Sequence, residues 1–363
     1  MSRKSMEFIS RLVTRQDREE WFVHSERFQC LLRLQRQFVI MHRRHGSLIT
    51  RIRCLYCVKT LYHVFPEIKA FGCCHEVFGT QKLLAQIAER ELGLTNIARE
   101  DIVVNVLGLN HFTWFDRASY KGIDLFPVYR HFIETHFEEG FEEKDNNWMN
   151  STFACAHRVK FDLFQKYGWI AAAGDRHLAE FMPPIYLKDP QTVASWKFGL
   201  TTVTWRKEDL KKRLEKSKRL VSGEEQVELN PSGEEGILLI KALCGLTRVI
   251  SNVNIPNTAG QIPNLPKSAV VETNAVFSRD SIAPVYAGNL TEEIRQLMLP
   301  HVMNHEDVLK AALTCDYEIM LRAFRRDPLV TCSSADADKL LRKMIVNTKK
   351  YLPEGWQKIS LNP

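Results

Sequence analysis

No run of apolar residues in the 363-residue chain is long enough to span a bilayer, and no charged-then-apolar leader opens it. The expectation is a cytoplasmic protein that spans no membrane. Regular cysteine spacing is also missing. Nine cysteines, an odd number, are scattered along the chain, as expected for reduced thiols rather than a disulfide frame. Cys54-Leu-Tyr-Cys57 has no partner pair, which argues against a structural zinc. There is no internal repeat or low-complexity tract. No GxGxxG or similar phosphate-cradling loop occurs anywhere. What remains is ordinary globular composition, 45% hydrophobic and 26% charged, with enough chain to bury one large core or two moderate ones.

A net charge of +7 suggests a nucleic-acid partner, but its distribution argues otherwise. Met1–Cys57 holds twelve Lys and Arg, eleven of them Arg, against five Asp and Glu. That segment carries the whole excess, and the rest of the chain is neutral. Within it Trp21, Phe22, Phe28 and Phe38 are strewn among arginines with no period of two or 3.6. No nucleic-acid partner is expected for the remainder.

Chemistry concentrates in two stretches. Ile68–Gly72 reads as a buried strand running into Cys73-Cys74-His75, with a helix starting near Val77 whose Leu83, Leu84, Ile87 and Leu92 share a face. Ile102–Leu107 reads as a second strand, ending in Asn110-His111. Ligands in α/β sheets gather at the carboxyl ends of strands. Neighbouring strands would let Cys74 and His111 converge on one borderline divalent cation, and a helix start beside Cys74 would favour the thiolate. The alternative is plain packing by a small core thiol and a core histidine. A third stretch, Gly174–Glu180, puts Asp175, Arg176, His177 and Glu180 within six residues. It suits an active-site loop with an acid or base and cations for an anionic sugar. A capped helix start, with Asp175 as N-cap and Glu180 solvated, explains it equally.

The segments GCCHEVFGTQKLL (Gly72–Leu84), NVLGLNHFTWF (Asn105–Phe115), AAAGDRHLAEFMP (Ala171–Pro183) and NVNIPN (Asn252–Asn257) together resemble glycoside hydrolase family 4, in particular its α-galacturonidase branch. The likeness runs from about Cys57 to Leu352. It implies NAD and Mn(II), or another divalent cation, as cofactors, and a redox route that the usual two-carboxylate hydrolysis does not cover. In that route C3 of the sugar is oxidised, the C2 proton is removed, the glycosidic bond breaks by elimination, water adds, and the hydride returns. Cys74 and His111 fall on the family's metal-ligand positions, and His75 where a leaving-group acid is found in some branches. Asp175 is the expected C2 base. Asn110 would bond a sugar hydroxyl, and Arg176 and His177 would meet a uronate carboxylate; Asn252, Asn254 and Asn257 would line the pocket, although a polar turn explains them as well. The family implies a homodimer or homotetramer. Alternatives are an α-galactosidase or α-glucosidase of the same family, or a 2-hydroxy acid dehydrogenase, which shares the architecture.

The resemblance also accounts for the basic segment. Reading each codon from the third base of one residue's codon and the first two of the next, Ser5–Cys30 can encode YGIHQSVGDTTGPGGMVRALRTIPV, and His45–Tyr56 can encode WVINYTNPMSL. Both match what the family carries there, including a glycine-rich turn and an Asn-Pro-Met motif. Residues 1–56 therefore read as an out-of-frame, disordered translation. The cofactor-binding residues are unknown, and the product is expected to be poorly stable and inactive.

The expected fold class is α/β: a remnant of a Rossmann-type parallel sheet (57–110), an α+β domain of the lactate/malate dehydrogenase C-terminal type (111–352), and a tail (353–363). Further expectations are a hairpin at Trp114–Tyr120, helices at Leu125–Phe137, Ser151–Tyr167 with Phe153 inward, Lys207–Leu220 and Ile237–Ile250, and strands at Asn252–Pro256 and Ala269–Phe277. Helices should follow at Thr291–Met298, His305–Cys315, Tyr317–Arg325 and Asp336–Thr348.

Overall fold

The computed structural model describes residues 55–142, 147–149, 151, 153–226 and 235–359. The segment read as out of frame lies outside them except for Leu55 and Tyr56, which open helix α1 (Leu55–Val64). Leu55 is buried, so the expected boundary after residue 56 falls within a packed helix. Lys59 fastens α1 through Nζ to Glu306 (2.5 Å) and to the carbonyl of Ser268 (2.8 Å).

Helix α2 (Glu76–Leu92) buries Leu83, Leu84 and Ile87 on one face as its spacing predicts, whereas Leu92 in its last turn is exposed. Strand β1 (Ile102–Leu109) pairs antiparallel with β2 (Phe112–Tyr120), and β2 turns into β3 (Ile123–Asp124). Leu109 pairs with Phe112, so Asn110 and His111 form the two-residue turn, with His111 left-handed at φ 64°. The amphipathic α3 (Leu125–His136) is capped by the Asp124 side chain on Phe126 N.

Next come α4 (Arg158–Tyr167), β4 (Ile170–Ala171), which adds antiparallel to β2, and α5 (Asp175–Phe181). Phe153, expected inward on a longer α4, is 60% exposed, because that helix starts seven residues later than predicted. Helices α6 (Pro190–Ser195), α7 (Val203–Ser222) and α8 (Gly236–Leu243) follow. The predicted helix to Ile250 stops at Leu243. Val249 and Ile250 instead pair with Phe277 and Val276, β-branched residues taking a cross-strand partner.

The second sheet is β5 (Val249–Pro256), β6 (Val270–Ser278) and β7 (Ser281–Pro284), all antiparallel. Asn274 Nδ2 donates to Val104 O (2.8 Å), tying this sheet to β1. Helix α9 (Glu292–Thr314) runs unbroken through Pro300, where two helices were predicted; His301, Val302 and Met298 are buried around the proline, and packing outweighs its local penalty. The chain continues through α10 (Tyr317–Arg326), α11 (Ser334–Thr348) and α12 (Glu354–Lys358).

The mixture of helix and sheet is as the sequence led one to expect. The pairing differs. Ile68–Phe71 forms no strand, and Gly72 alone bridges to Asn254, with N–H to O distances of 2.9 Å both ways. Among the described residues every named strand pair is antiparallel. Periodicity shows that a segment is buried, but partners far along the chain decide what it pairs with. Among the described residues no helix is long and apolar enough to cross a membrane.

Candidate functional site

Three connections deliver the site. The Gly72–Asn254 bridge hangs Cys73 and Cys74 from the edge of β5, just before α2 begins. The β1–β2 turn presents His111. Gly174 then leads into α5, which carries Asp175, Arg176 and His177. Gly108 is needed for this turn: its φ is +147°, and a Cβ there would lie 2.3 Å from Phe112 O.

These elements enclose a cavity of about 380 Å³ lined by Cys74, Glu76, His111, Asp175, Arg176 and His177, among others. Within it Glu76, His111 and His177 offer ligand atoms that all lie within 4.8 Å of one another. The His111 and His177 rings sit 4.3 Å apart. Glu76 Oε1 is 3.5 Å from His177 Nε2, and its Oε2 accepts the Gly174 N–H at 2.9 Å. Glu76 followed Cys-Cys-His in the sequence, but nothing local marked it as a site residue.

The electrostatics divide labour between the two histidines. Burial opposes charge on His177, but Glu76 and Glu180 outweigh it and lift its value to about 9. Burial, then the charge on His177, lowers His111 to about 3, so His111 is a neutral imidazole. Burial alone would raise the Glu76 carboxyl, yet the charge and hydrogen bond of His177, with the Gly174 N–H, hold it well below the usual carboxylate range. His177 therefore has two carboxylates beside it within the cavity, where the sequence suggested a uronate carboxylate as its partner.

Cys74 lines the same cavity but is not one of the three converging groups. Burial, then Glu272 and Glu76, push its thiol well above the ordinary value. This corrects the expectation that the helix start favours a thiolate: two carboxylates and desolvation outweigh the helix end. A neutral imidazole, a thiol and a carboxylate around one cavity form a mixed N, S and O set. That set fits a borderline divalent cation, which would also reverse the Cys74 shift.

Asp175 is fully buried, and burial lifts its carboxyl to about 6 against the opposing charge of Lys160. Its oxygens accept the Val159 and Lys160 N–H groups, both at 3.2 Å. It thus caps α4 rather than its own helix, and Glu180 is buried rather than solvated. Cys155, His157 and Asp175 form a second group of potential ligands. The buried Lys160 ammonium beside them (Nζ to Thr80 Oγ1, 2.9 Å) argues against a cation there.

Arg176 stacks over Phe153 at 4.5 Å, and its Nη1 is buried without a hydrogen-bond partner among the described residues. His75 is exposed at the start of α2 and lines the cavity. Asn110 is not among the residues lining the cavity: its Nδ2 donates to Glu272 Oε2 (3.3 Å), and its side chain bonds Cys74. Asn252 donates to Glu272 Oε1 (2.6 Å). Asn257 does not line the pocket but organises the 262–266 loop, donating to three carbonyls and accepting the Ile262 N–H. Sequence reading missed Glu272; its signal was an acid inside the apolar strand run VVETNAVF.

Residues 106–330 match the family 4 glycosyl hydrolase C-terminal domain. The chain is 67% identical over 303 residues to an α-galacturonidase of Lachnoclostridium phytofermentans, covering 83% of this chain and 65% of that protein. An α-galacturonidase of Bacillus subtilis is 48% identical over 289 residues, 80% of this chain and 64% of its own length. The present chain thus spans about two thirds of the length of these curated relatives. Among solved structures, lplD of B. subtilis superposes with a TM-score of 0.83 at 44% identity, over 90% of this chain and 74% of that one. A 6-phospho-α-glucosidase from gut microorganisms, solved with NAD and Mn2+, shares the fold at TM-score 0.66 and 16% identity, over 93% of this chain and 73% of that one.

Proposed function

The chain belongs to glycosyl hydrolase family 4, and from that premise we propose that it carries the metal and sugar site of an α-galacturonidase. The observation that carries this reading is the convergence of Glu76, His111 and His177 within 4.8 Å, in one cavity with Cys74. His111 and Cys74 are the proposed ligands, with Glu76 beside them. A divalent cation held there supplies Lewis acidity toward sugar oxygens, and NAD supplies a hydride acceptor.

The chain's own residues do the rest. His111, kept neutral by burial and by the charge on His177, keeps a lone pair for coordination at neutral pH. Asp175, lifted to about 6, is suited to take the proton from C2. His75, exposed at the cavity rim, is placed to give a proton to the leaving oxygen. Arg176 offers its unpartnered Nη1 to the uronate carboxylate, favouring a galacturonide over a neutral galactoside. Asn110 steadies Cys74 rather than binding sugar.

We further propose a cytoplasmic homo-oligomer. Ile237 and Ile240 on α8, with Leu246 and Ile250 beyond it, expose apolar surface that a second copy can cover. With no glycine-rich phosphate loop in its sequence, the chain is inactive toward galacturonides in this reading.

The test has two arms. The gene, with its upstream frame restored, is assayed on p-nitrophenyl α-galacturonide with NAD, Mn2+ and a reductant; turnover is expected and is abolished by Cys74→Ser or by a chelator. Arg176→Ala should weaken galacturonide binding about 10–100-fold, the worth of one charge-assisted contact, and leave a galactoside unaffected. Metal-independent turnover, or equal losses on both sugars, would refute the respective assignment.

A further inference from the structure

Glu272 is 1% exposed near the start of β6, paired across the sheet with Asn254. A buried carboxylate ordinarily has a cation beside it. This one is met by three neutral amides, from Asn110, Asn252 and Asn254. Two of those amides also reach Cys74. Asn252 Nδ2 lies 2.6 Å from Glu272 Oε1 and 3.2 Å from the Cys74 carbonyl. Asn110 bonds both Glu272 Oε2 and the Cys74 thiol. Glu272 therefore stands one amide behind Cys74 on two sides, with no basic group among those contacts; burial, and the charge on Glu76, lift its carboxyl to about 7 against the three amides.

We propose that Glu272 is a positioning residue for the divalent cation, its buried carboxylate and its grip on Asn110 and Asn252 tightening ion binding at Cys74 and His111. Asn110 holds the Cys74 thiol and Asn252 holds its carbonyl, while a cation bound at Cys74 draws the carboxylate behind them into its ionised form and is attracted by it through low-dielectric surroundings. Partners one step behind a ligand change metal affinity by about 10–100-fold when removed. Three elements distant in sequence build this arrangement: the segment before α2, the β1–β2 turn, and the β5–β6 pair. The inference rests on the metal site proposed above.

The test measures Mn2+ affinity of the chain as it exists, by the loss of the free-ion electron paramagnetic resonance signal, with no turnover needed. Glu272→Gln is expected to weaken binding at least about tenfold. Glu272→Asp, which keeps the charge but draws it back, should fall between Gln and the parent. Far-UV circular dichroism and the melting temperature without metal should match the parent for both variants. Equal affinity in parent and Gln variant, or an Asp variant as weak as Gln, overturns the inference. If the Gln variant does not fold, an Asp variant equal to the parent overturns it. A parent chain that takes up no Mn2+ overturns the metal site itself, an outcome distinct from one in which only Glu272 proves indifferent.

Discussion

Replacing Gly108 by alanine tests whether the β1–β2 turn holds His111 in place by backbone geometry. The new Cβ would lie 2.3 Å from Phe112 O and 2.8 Å from Thr113 Cα, on a residue held at φ +147°. Both obstacles are backbone of the paired strand, so neither can rotate away. Holding an L-residue in that conformation costs about 1–3 kcal/mol, and forcing the strands apart costs about 1–3 kcal/mol more. A loss near 4 kcal/mol lowers the melting temperature by roughly 8–16 °C for a domain of this size. Any relief must move the Asn110-His111 turn, so Mn2+ affinity should fall as well. Gly79→Ala is the control. Gly79 lies within α2, and a methyl added there would meet nothing within 4 Å, so alanine should stabilise by about 0.5–1 kcal/mol. Calorimetry and Mn2+ titration of the two variants decide it. A Gly108→Ala protein that melts with the parent and binds Mn2+ equally would refute the reasoning.

Three more outcomes are expected. In metal-free protein, NMR should place the His177 titration near pH 9, and Glu76→Gln should lower it. Because the folded value is raised, the stabilisation is complete below the ordinary histidine value near 6.5 and is lost as pH rises through about 9. The stability gap between parent and Glu76→Gln should close over that window, and a pH-independent gap would refute the pairing. Asn257→Ala should cost about 1–3 kcal/mol in urea unfolding, since three carbonyls and one N–H lose their partner, with no change in Mn2+ affinity. Iodoacetamide at neutral pH should label the exposed Cys244 and Cys332 well before Cys74, whose thiol is pushed up by burial and two carboxylates; mass spectrometry reads the order.

Much of the local structure was legible because it depends on neighbours in sequence. The start of α2 after His75, the turn into β3 after Tyr120, and the helix over Tyr317–Arg326 follow from spacing and capping residues. Where prediction failed, a distant partner had intervened: α9 continues through Pro300 on its buried face, and Ile250 leaves helix for strand because Val276 is opposite it. The candidate site followed the same rule. Cys74, His111 and Asp175 were visible as motif residues, and all three line one cavity. Their roles were not visible, because burial and neighbouring charges set them. His177 pairs inward with Glu76, Asp175 caps α4, and Asn110 faces Glu272.

The sequence by itself determined which short segments carry chemistry, which helical faces are apolar, and that the positive excess belongs to the first fifty-seven residues. Tertiary structure alone decided that Glu76 completes the group with His111 and His177, and that a glutamate from β6 backs the cysteine. The physical reason is range. Helical period and capping act within a few residues, whereas desolvation and Coulomb forces act between groups that only the folded chain brings together.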